Sequence, residues 1–385
     1  MSHATSVALE RRHQTVRDAL DARSLDAAVL TSLPNILYLT NFTGSAAIVV
    51  VTANRLCFLT DFRYVTAIAD TEGTAHQCPN LELVTVEGSY DATLAELLAS
   101  FTPSSPSTPA RIGFEAAHLT VSRHTWLLDA LSRHGSAHQL VATEGIVERA
   151  RVKKDDYEIA TLREAARRLS RVAEHVNTDV RAGLTEREMA MAIDQRIRLA
   201  GFSKPAFDTI VAAGPNAAIP HARPGERKLT EGDLVVLDFG GVYDSYCVDL
   251  TRTVSVCRAS VRARDVYAAV LEAHDLAIAA VAPGRSRFDI DAAARDALGA
   301  RGLGDAFGHG TGHGLGIEVH EDPRIARRRP DVDAYDAPVE SGMVFTIEPG
   351  AYLPGWGGVR IEDDVLVTDA GVEVLTGVTT DLIEV

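Results

Sequence analysis

Asp238 lies in the run Leu234-Val235-Val236-Leu237-Asp238-Phe239-Gly240-Gly241, and Asp249 lies in Tyr246-Cys247-Val248-Asp249-Leu250-Thr251-Arg252-Thr253. Both runs are apolar and β-branched, with a polar turn between them, which is the pattern of a hairpin. A two-residue loop at Tyr243-Asp244 pairs Asp238 directly with Asp249, their β-carbons about 4.5–5.5 Å apart. Carboxylates that close repel each other, so a positive group is expected between them. The pattern recurs near the C-terminus. Glu348, in Phe345-Thr346-Ile347-Glu348-Pro349-Gly350, and Glu362, in Val359-Arg360-Ile361-Glu362-Asp363, flank the turn signal Pro354-Gly355-Trp356-Gly357-Gly358 symmetrically about Gly355. Each glutamate sits among apolar neighbours, where an uncompensated charge is costly. Two acidic hairpins are therefore expected.

Between them runs Gly308-His309-Gly310-Thr311-Gly312-His313-Gly314-Leu315-Gly316, followed by His320-Glu321-Asp322-Pro323-Arg324. Alternating glycines remove side-chain bulk and let a histidine approach a site closely. Imidazole serves as a metal ligand or as a proton carrier near neutral pH. Four carboxylates and one neutral histidine form a mostly hard donor set that suits manganese or a similar divalent ion, whereas structural zinc favours thiolate. Four negative charges also balance two divalent cations. The residues thus point to a two-metal hydrolytic site, its metals about 3.5–4 Å apart and sharing an activated water.

Two bodies are expected to carry these residues. Strand patterns at Ala27 to Thr31, Ala47 to Thr52 and Leu56 to Thr60 alternate with helical patterns at Val7 to Ala22, Ala92 to Ser100 and Thr120 to Leu131. That is an α/β domain over residues 1–150, with the Pro/Ser tract 103–109 as a surface loop. A second domain, 151–385, begins with one long amphipathic helix from Asp155 to Val180, whose apolar positions Ile159, Leu162, Ala166, Leu169, Val172 and Val176 recur at three- and four-residue steps. Gly183 ends it, and Thr185-Glu186-Arg187-Glu188 fits a capping box for a helix to Leu199. Further helices are expected at Arg262 to Val281 and Phe288 to Ala300.

The 385 residues carry 53 acidic and 38 basic side chains, a net charge of −15, which argues against a nucleic-acid partner. A hydrophobic content of 46% supports a sizeable core and excludes an acidic disordered chain. No stretch has signal-peptide or membrane-helix character, so a cytoplasmic protein without a membrane partner is expected. Cys57, Cys78, Cys247 and Cys257 form neither a C-x-x-C pair nor a disulfide framework and read as reduced thiols.

With these residues in view, the sequence resembles the pita-bread metallopeptidases, the family of prolidase, aminopeptidase P and methionine aminopeptidase. Asp238, Asp249, His313, Glu348 and Glu362 match its five metal ligands in order and local context. The resemblance implies that Asp238 chelates one metal, His313 and Glu348 hold the other, Asp249 and Glu362 bridge both, and Glu348 accepts the proton of the nucleophilic water. It also implies an α/β N-terminal creatinase/prolidase-like domain plus an α+β pita-bread catalytic domain. Val152-Lys153-Lys154-Asp155-Asp156-Tyr157-Glu158-Ile159 looks like the opening of that catalytic domain. Asn35-Ile36-Leu37-Tyr38-Leu39-Thr40-Asn41-Phe42-Thr43-Gly44-Ser45 and Thr60-Asp61-Phe62-Arg63-Tyr64 resemble the N-terminal one, which methionine aminopeptidases generally lack. Creatinase lacks the ligand set. The Xaa-Pro branch remains, either a dipeptidase or an aminopeptidase P.

By the same resemblance, His221 lies beside bound substrate and His320 contacts the scissile carbonyl. His309 is an outer histidine, Arg360 steadies a ligating carboxylate, and Arg324 binds a substrate carboxylate. Implied with these are two divalent ions per subunit, manganese first with cobalt or zinc as alternatives, a proline-containing di- or oligopeptide substrate, and a homodimer. Two other classes compete: a catalytically silent binding protein on the same scaffold, which would have lost the ligands, and a mononuclear iron oxygenase, which the paired acidic hairpins disfavour.

Overall fold

A computed structural model describes residues 3–101, 108–329 and 336–385. The chain divides into two units, Met1–Arg151 and Val152–Val385. In the first, six strands lie in the spatial order Leu81–Val86, Leu56–Asp61, Ile48–Thr52, Ala27–Leu30, Arg111–Glu115, Gln139–Thr143, with both parallel and antiparallel pairs. Ala27–Leu30 and Ile48–Thr52 are buried throughout, which explains their unbroken apolar runs. Helices Ser6–Ala22, Tyr90–Ala99 and Val121–Arg133 fall where the periodicity put them. The expected loop at 103–109 lies mostly outside the described residues.

The second unit opens with the helix Asp156–Asp179. Its capping box is reciprocal: the Asp155 carboxylate accepts from the Glu158 amide at 2.9 Å, and Glu158 accepts from the Asp155 amide at 2.9 Å. Leu162, Ala166, Leu169, Val172 and Val176 are buried against the strands Leu234–Tyr243 and Tyr246–Ser255. Trimming Leu169 to alanine would cost about 2–5 kcal/mol, since it is fully enclosed. Thr185 and Glu188 form the expected box at the head of Glu186–Leu199. Helices Val261–Ala280 and Arg287–Ala300 pack over a second core with the strands Val344–Ile347 and Asp363–Thr368. A pair of helices followed by an acidic hairpin thus occurs twice. All four cysteines are free thiols, and no described helix is long and apolar enough to cross a membrane.

One register differs from expectation. The first hairpin turns at Asp244-Ser245, not Tyr243-Asp244, so Asp238 faces Thr251 and Asp249 faces Gly240. Both turn residues have positive φ, +47° and +72°, as a tight turn matching the twist of the strands requires. Asp238 and Asp249 are diagonal neighbours, yet they keep a common face because a two-residue displacement equals the pleat period. In the second hairpin Gly350 pairs with Arg360 and Ile347 with Asp363, so Glu348 and Glu362 occupy matching positions about Gly355, as read from the sequence.

Candidate metal centre

The two hairpins meet through backbone and side-chain hydrogen bonds. The Glu362 amide donates to the Thr251 carbonyl at 3.1 Å, and the Asp249 amide donates to Asp364 Oδ2 at 3.0 Å. The Arg252 guanidinium, 2% exposed, donates to the Glu362 carbonyl at 2.6 Å and to Asp363 at 2.8 Å. The third contributor is the short strand Gly312–Gly314, which lies between Glu321–Ile325 and Val344–Ile347. A β-carbon on Gly312 would stand 1.8 Å from the Thr346 carbonyl oxygen, and one on Gly314 would stand 2.1 Å from that of Asp322. Only glycine on both sides lets His313 ride between two strands this close. Asp291 and Arg295, one helical turn apart, hold the approach to it. Arg295 donates to the Phe307 and His309 carbonyls, while Asp291 accepts from the Thr311 amide and hydroxyl.

A cavity of about 1250 Å³ receives all ten residues singled out from the sequence: Asp238, Asp249, His313, Glu348, Glu362, His221, His320, His309, Arg324 and Arg360. Within it, one ligand atom from each of Asp249, His313 and Glu362 lies within 4.8 Å of the other two. Glu348 Oε1 stands 3.6 Å from His313 Nε2. Asp238 is held differently: the Arg360 guanidinium donates to its Oδ2 and neutralises it.

His313 donates Nδ1–H to the Gly314 carbonyl at 3.1 Å, which leaves the Nε2 lone pair turned to the cavity. Burial, with some help from His320, depresses it to about 4, so the ring is neutral. Burial pushes Glu348 up to about 7; Asp238 adds to that rise and Arg360 opposes it. Asp249 and Glu362 are also pushed well above the carboxylate range, first by burial and then by the neighbouring carboxylates. Asp249 Oδ1 is buried without a hydrogen-bond donor. The four carboxylates Asp238, Asp249, Glu348 and Glu362, an orphaned carboxylate oxygen and an unprotonated imidazole nitrogen together fit divalent cations in donor type.

Several residues of the site carry no motif signal. Thr251 donates to Glu362 Oε2 at 2.6 Å and accepts from Arg360 Nε at 3.2 Å. Tyr352 accepts from Arg360 Nη1 at 2.9 Å and donates to His309 Nε2 at 2.8 Å, since His309 Nδ1–H is spent on the Gly310 carbonyl. Burial holds His309 down at about 4, consistent with a neutral acceptor. A row His309, Tyr352, Arg360, Asp238 therefore steadies the outer carboxylate. His320, exposed and lining the cavity, lies against His313 with ring centres 4.4 Å apart.

The profile of metallopeptidase family M24 matches residues 160–369, and that of the creatinase/prolidase N-terminal domain matches residues 12–153. The chain belongs to metallopeptidase family M24. It is a metallopeptidase with divalent metal as cofactor, and its fold is the creatinase-type N-terminal domain followed by the pita-bread catalytic domain. An uncharacterized peptidase of Bacillus subtilis, YqhT, is 36% identical over 94% of this chain and 97% of its own length. Among solved structures, the Xaa-Pro dipeptidase of Bacillus anthracis is 35% identical, covers 98% of this chain and all of its own, and superposes with a TM-score of 0.88. The X-Pro aminopeptidase of Thermotoga maritima is 30% identical, covering 97% of this chain and all of its own, with a TM-score of 0.83.

Proposed function

We propose that this member of family M24 is an Xaa-Pro peptidase, hydrolysing the bond that precedes proline in Xaa-Pro dipeptides or N-terminal Xaa-Pro peptides, with two divalent cations per subunit. The observation that carries the reading is the convergence of the buried residues Asp249, His313 and Glu362 within 4.8 Å on one cavity. Support for the substrate comes from whole-chain likeness to one protein described as an Xaa-Pro dipeptidase and another described as an X-Pro aminopeptidase. In this reading Asp238 would help to hold one cation, His313 and Glu348 the other, and Asp249 and Glu362 would serve both, with manganese as the expected metal and cobalt or zinc as substitutes. When bound, the metals supply Lewis acidity and a water of lowered pKa.

A bond to proline nitrogen has no N–H to grip, so recognition falls on the carbonyl and on the two ends of the substrate. Glu348, whose Oε1 stands 3.6 Å from His313 Nε2, takes the proton of the attacking water and delivers it to the departing secondary amine. Both exposed in the cavity, His221 lies beside the substrate and His320 faces the scissile carbonyl. The Arg324 guanidinium clasps the C-terminal carboxylate of a dipeptide. Arg360 and His309 act through Asp238. Residues 151–385 carry the chemistry and 1–150 form the N-terminal domain, in a cytoplasmic homodimer whose stoichiometry light scattering would read.

Stripping the metal, restoring manganese, cobalt or zinc, and offering an Xaa-Pro dipeptide and an Xaa-Pro-Xaa tripeptide tests the proposal. Cleavage of the dipeptide alone would assign a dipeptidase; cleavage of the tripeptide would assign an aminopeptidase. Cleavage of neither with any metal would sink the reading.

A further inference from the structure

His221 is held by its backbone alone: its imidazole makes no hydrogen bond within the described residues. Its segment has little regular structure, only the short 3-10 turn Gly214–Ala218 and two further turn hydrogen bonds, Ile219 to Asn216 and Ala222 to Ile219. Something outside that segment must set its shape.

Glu186 meets the need. It is the first residue of the helix Glu186–Leu199 and is 1% exposed. Among the described residues no ion pair reaches it. Instead Oε1 accepts from the Ala213 amide at 2.8 Å and from Asn216 Nδ2 at 2.9 Å, and Oε2 accepts from the Gly225 amide at 3.1 Å. Two of these donors precede His221 and one follows it, so this carboxylate ties the two arms of the segment together, and the Arg187 amide adds a bond to the Gly225 carbonyl at 3.1 Å. Hydrogen bonds to a charged acceptor are about twice as strong as neutral ones, and a buried carboxylate without a cation depends on them. The opposite side is fixed by the metal centre: Arg360 Nη1 donates to the Pro220 carbonyl at 3.4 Å. There the Ala217 carbonyl presses so near Gly358 that a β-carbon would come within 2.1 Å of it.

We propose that Glu186 is the positioning residue for His221, holding the loop 213–225 so that the imidazole faces the substrate in the cavity. The inference rests on the Xaa-Pro reading for the role of His221, and on geometry alone for the role of Glu186. A glutamine at 186 has nearly the same shape, but it sets an N–H₂ group against one of the three donors and opens the loop on that side.

The test is a double-mutant cycle on the metal-loaded full chain, using Glu186→Gln, His221→Ala and their combination with an Xaa-Pro dipeptide. Glu186→Gln is expected to lower kcat/KM about tenfold, the scale of a small misplacement of a reacting group. In the His221→Ala background its effect is expected to shrink to within about twofold. An equal loss in both backgrounds would overturn the proposal, because Glu186 would then act on the fold and not through His221. A second readout needs no substrate. In histidine-labelled protein, the ring resonance of His221, identified by its loss in His221→Ala, is expected to move in Glu186→Gln while those of His309 and His313 stay in place. An unmoved His221 signal would overturn the proposal. If the glutamine variant does not fold, Glu186→Asp, shorter by one methylene and still charged, takes its place in both measurements. Failure of the wild type to cleave any Xaa-Pro substrate would count against the peptidase reading, and the resonance would still decide the role of Glu186.

Discussion

The Thr251 hydroxyl donates to Glu362 at 2.6 Å, and Thr251 stands directly opposite Asp238 in its own hairpin. A neutral side chain thus ties a carboxylate of one acidic hairpin to the strand that carries Asp249 in the other. Thr251→Val keeps the shape and removes the tie. It should weaken affinity for divalent metal by about 10- to 100-fold, the usual cost of losing a group that orients a ligand. Calorimetric titration of metal-free protein with manganese measures this; wild-type affinity would refute the assigned role.

Glu348→Gln should lower kcat by about 10²–10⁴ while the circular dichroism spectrum is unchanged, because the amide keeps the shape and cannot accept the proton. Near-wild-type turnover would remove Glu348 from the mechanism.

Metal-free protein should show an inverted pH dependence of stability. Glu348 titrates at about 7 when folded, above its ordinary 4.5. Between those values the folded chain holds a proton that the unfolded chain has released, so the contribution of this group falls as pH rises, by about 3 kcal/mol across the window. Denaturant unfolding at about pH 5 and pH 8 should reveal the slope, and Glu348→Gln should reduce it, leaving the part due to Asp249 and Glu362. Added divalent metal should stabilise more at the higher pH, where its ligands are already deprotonated. Identical slopes in wild type and variant would contradict the assignment.

Gly312→Ala should disrupt the centre although it adds a single methyl group, because that carbon has no room beside the Thr346 carbonyl. Loss of metal affinity by at least about tenfold and a lower Tm are expected. Gly308→Ala is the control: nothing lies within 4 Å of its β-carbon, and its stability should stay within about 0.5 kcal/mol of wild type.

The longer helices, unlike the short helices Leu33–Thr40 and Phe62–Ala69, were legible in the sequence because apolar spacing and caps are local, as with Thr185 and Glu188, three residues apart. The turn at Gly355 was equally plain. The first hairpin was not, because Tyr243-Asp244 and Asp244-Ser245 are both acceptable polar pairs, and the choice rests on which two residues take positive φ. The cavity could be foreseen from carboxylates and histidines, whose chemistry shows in their type. Thr251, Tyr352 and Glu186 could not. Each is ordinary in composition and gains its task from a partner supplied by fold closure, such as Thr251 with Glu362 or Glu186 with Asn216.

The hairpin holding Asp238 and Asp249 contributes half of the acidic groups, and the hairpin holding Glu348 and Glu362 contributes the rest. During synthesis the earlier hairpin emerges well before the later one. A growing chain therefore carries only half of these carboxylates until the strands around Glu348 and Glu362 have been made.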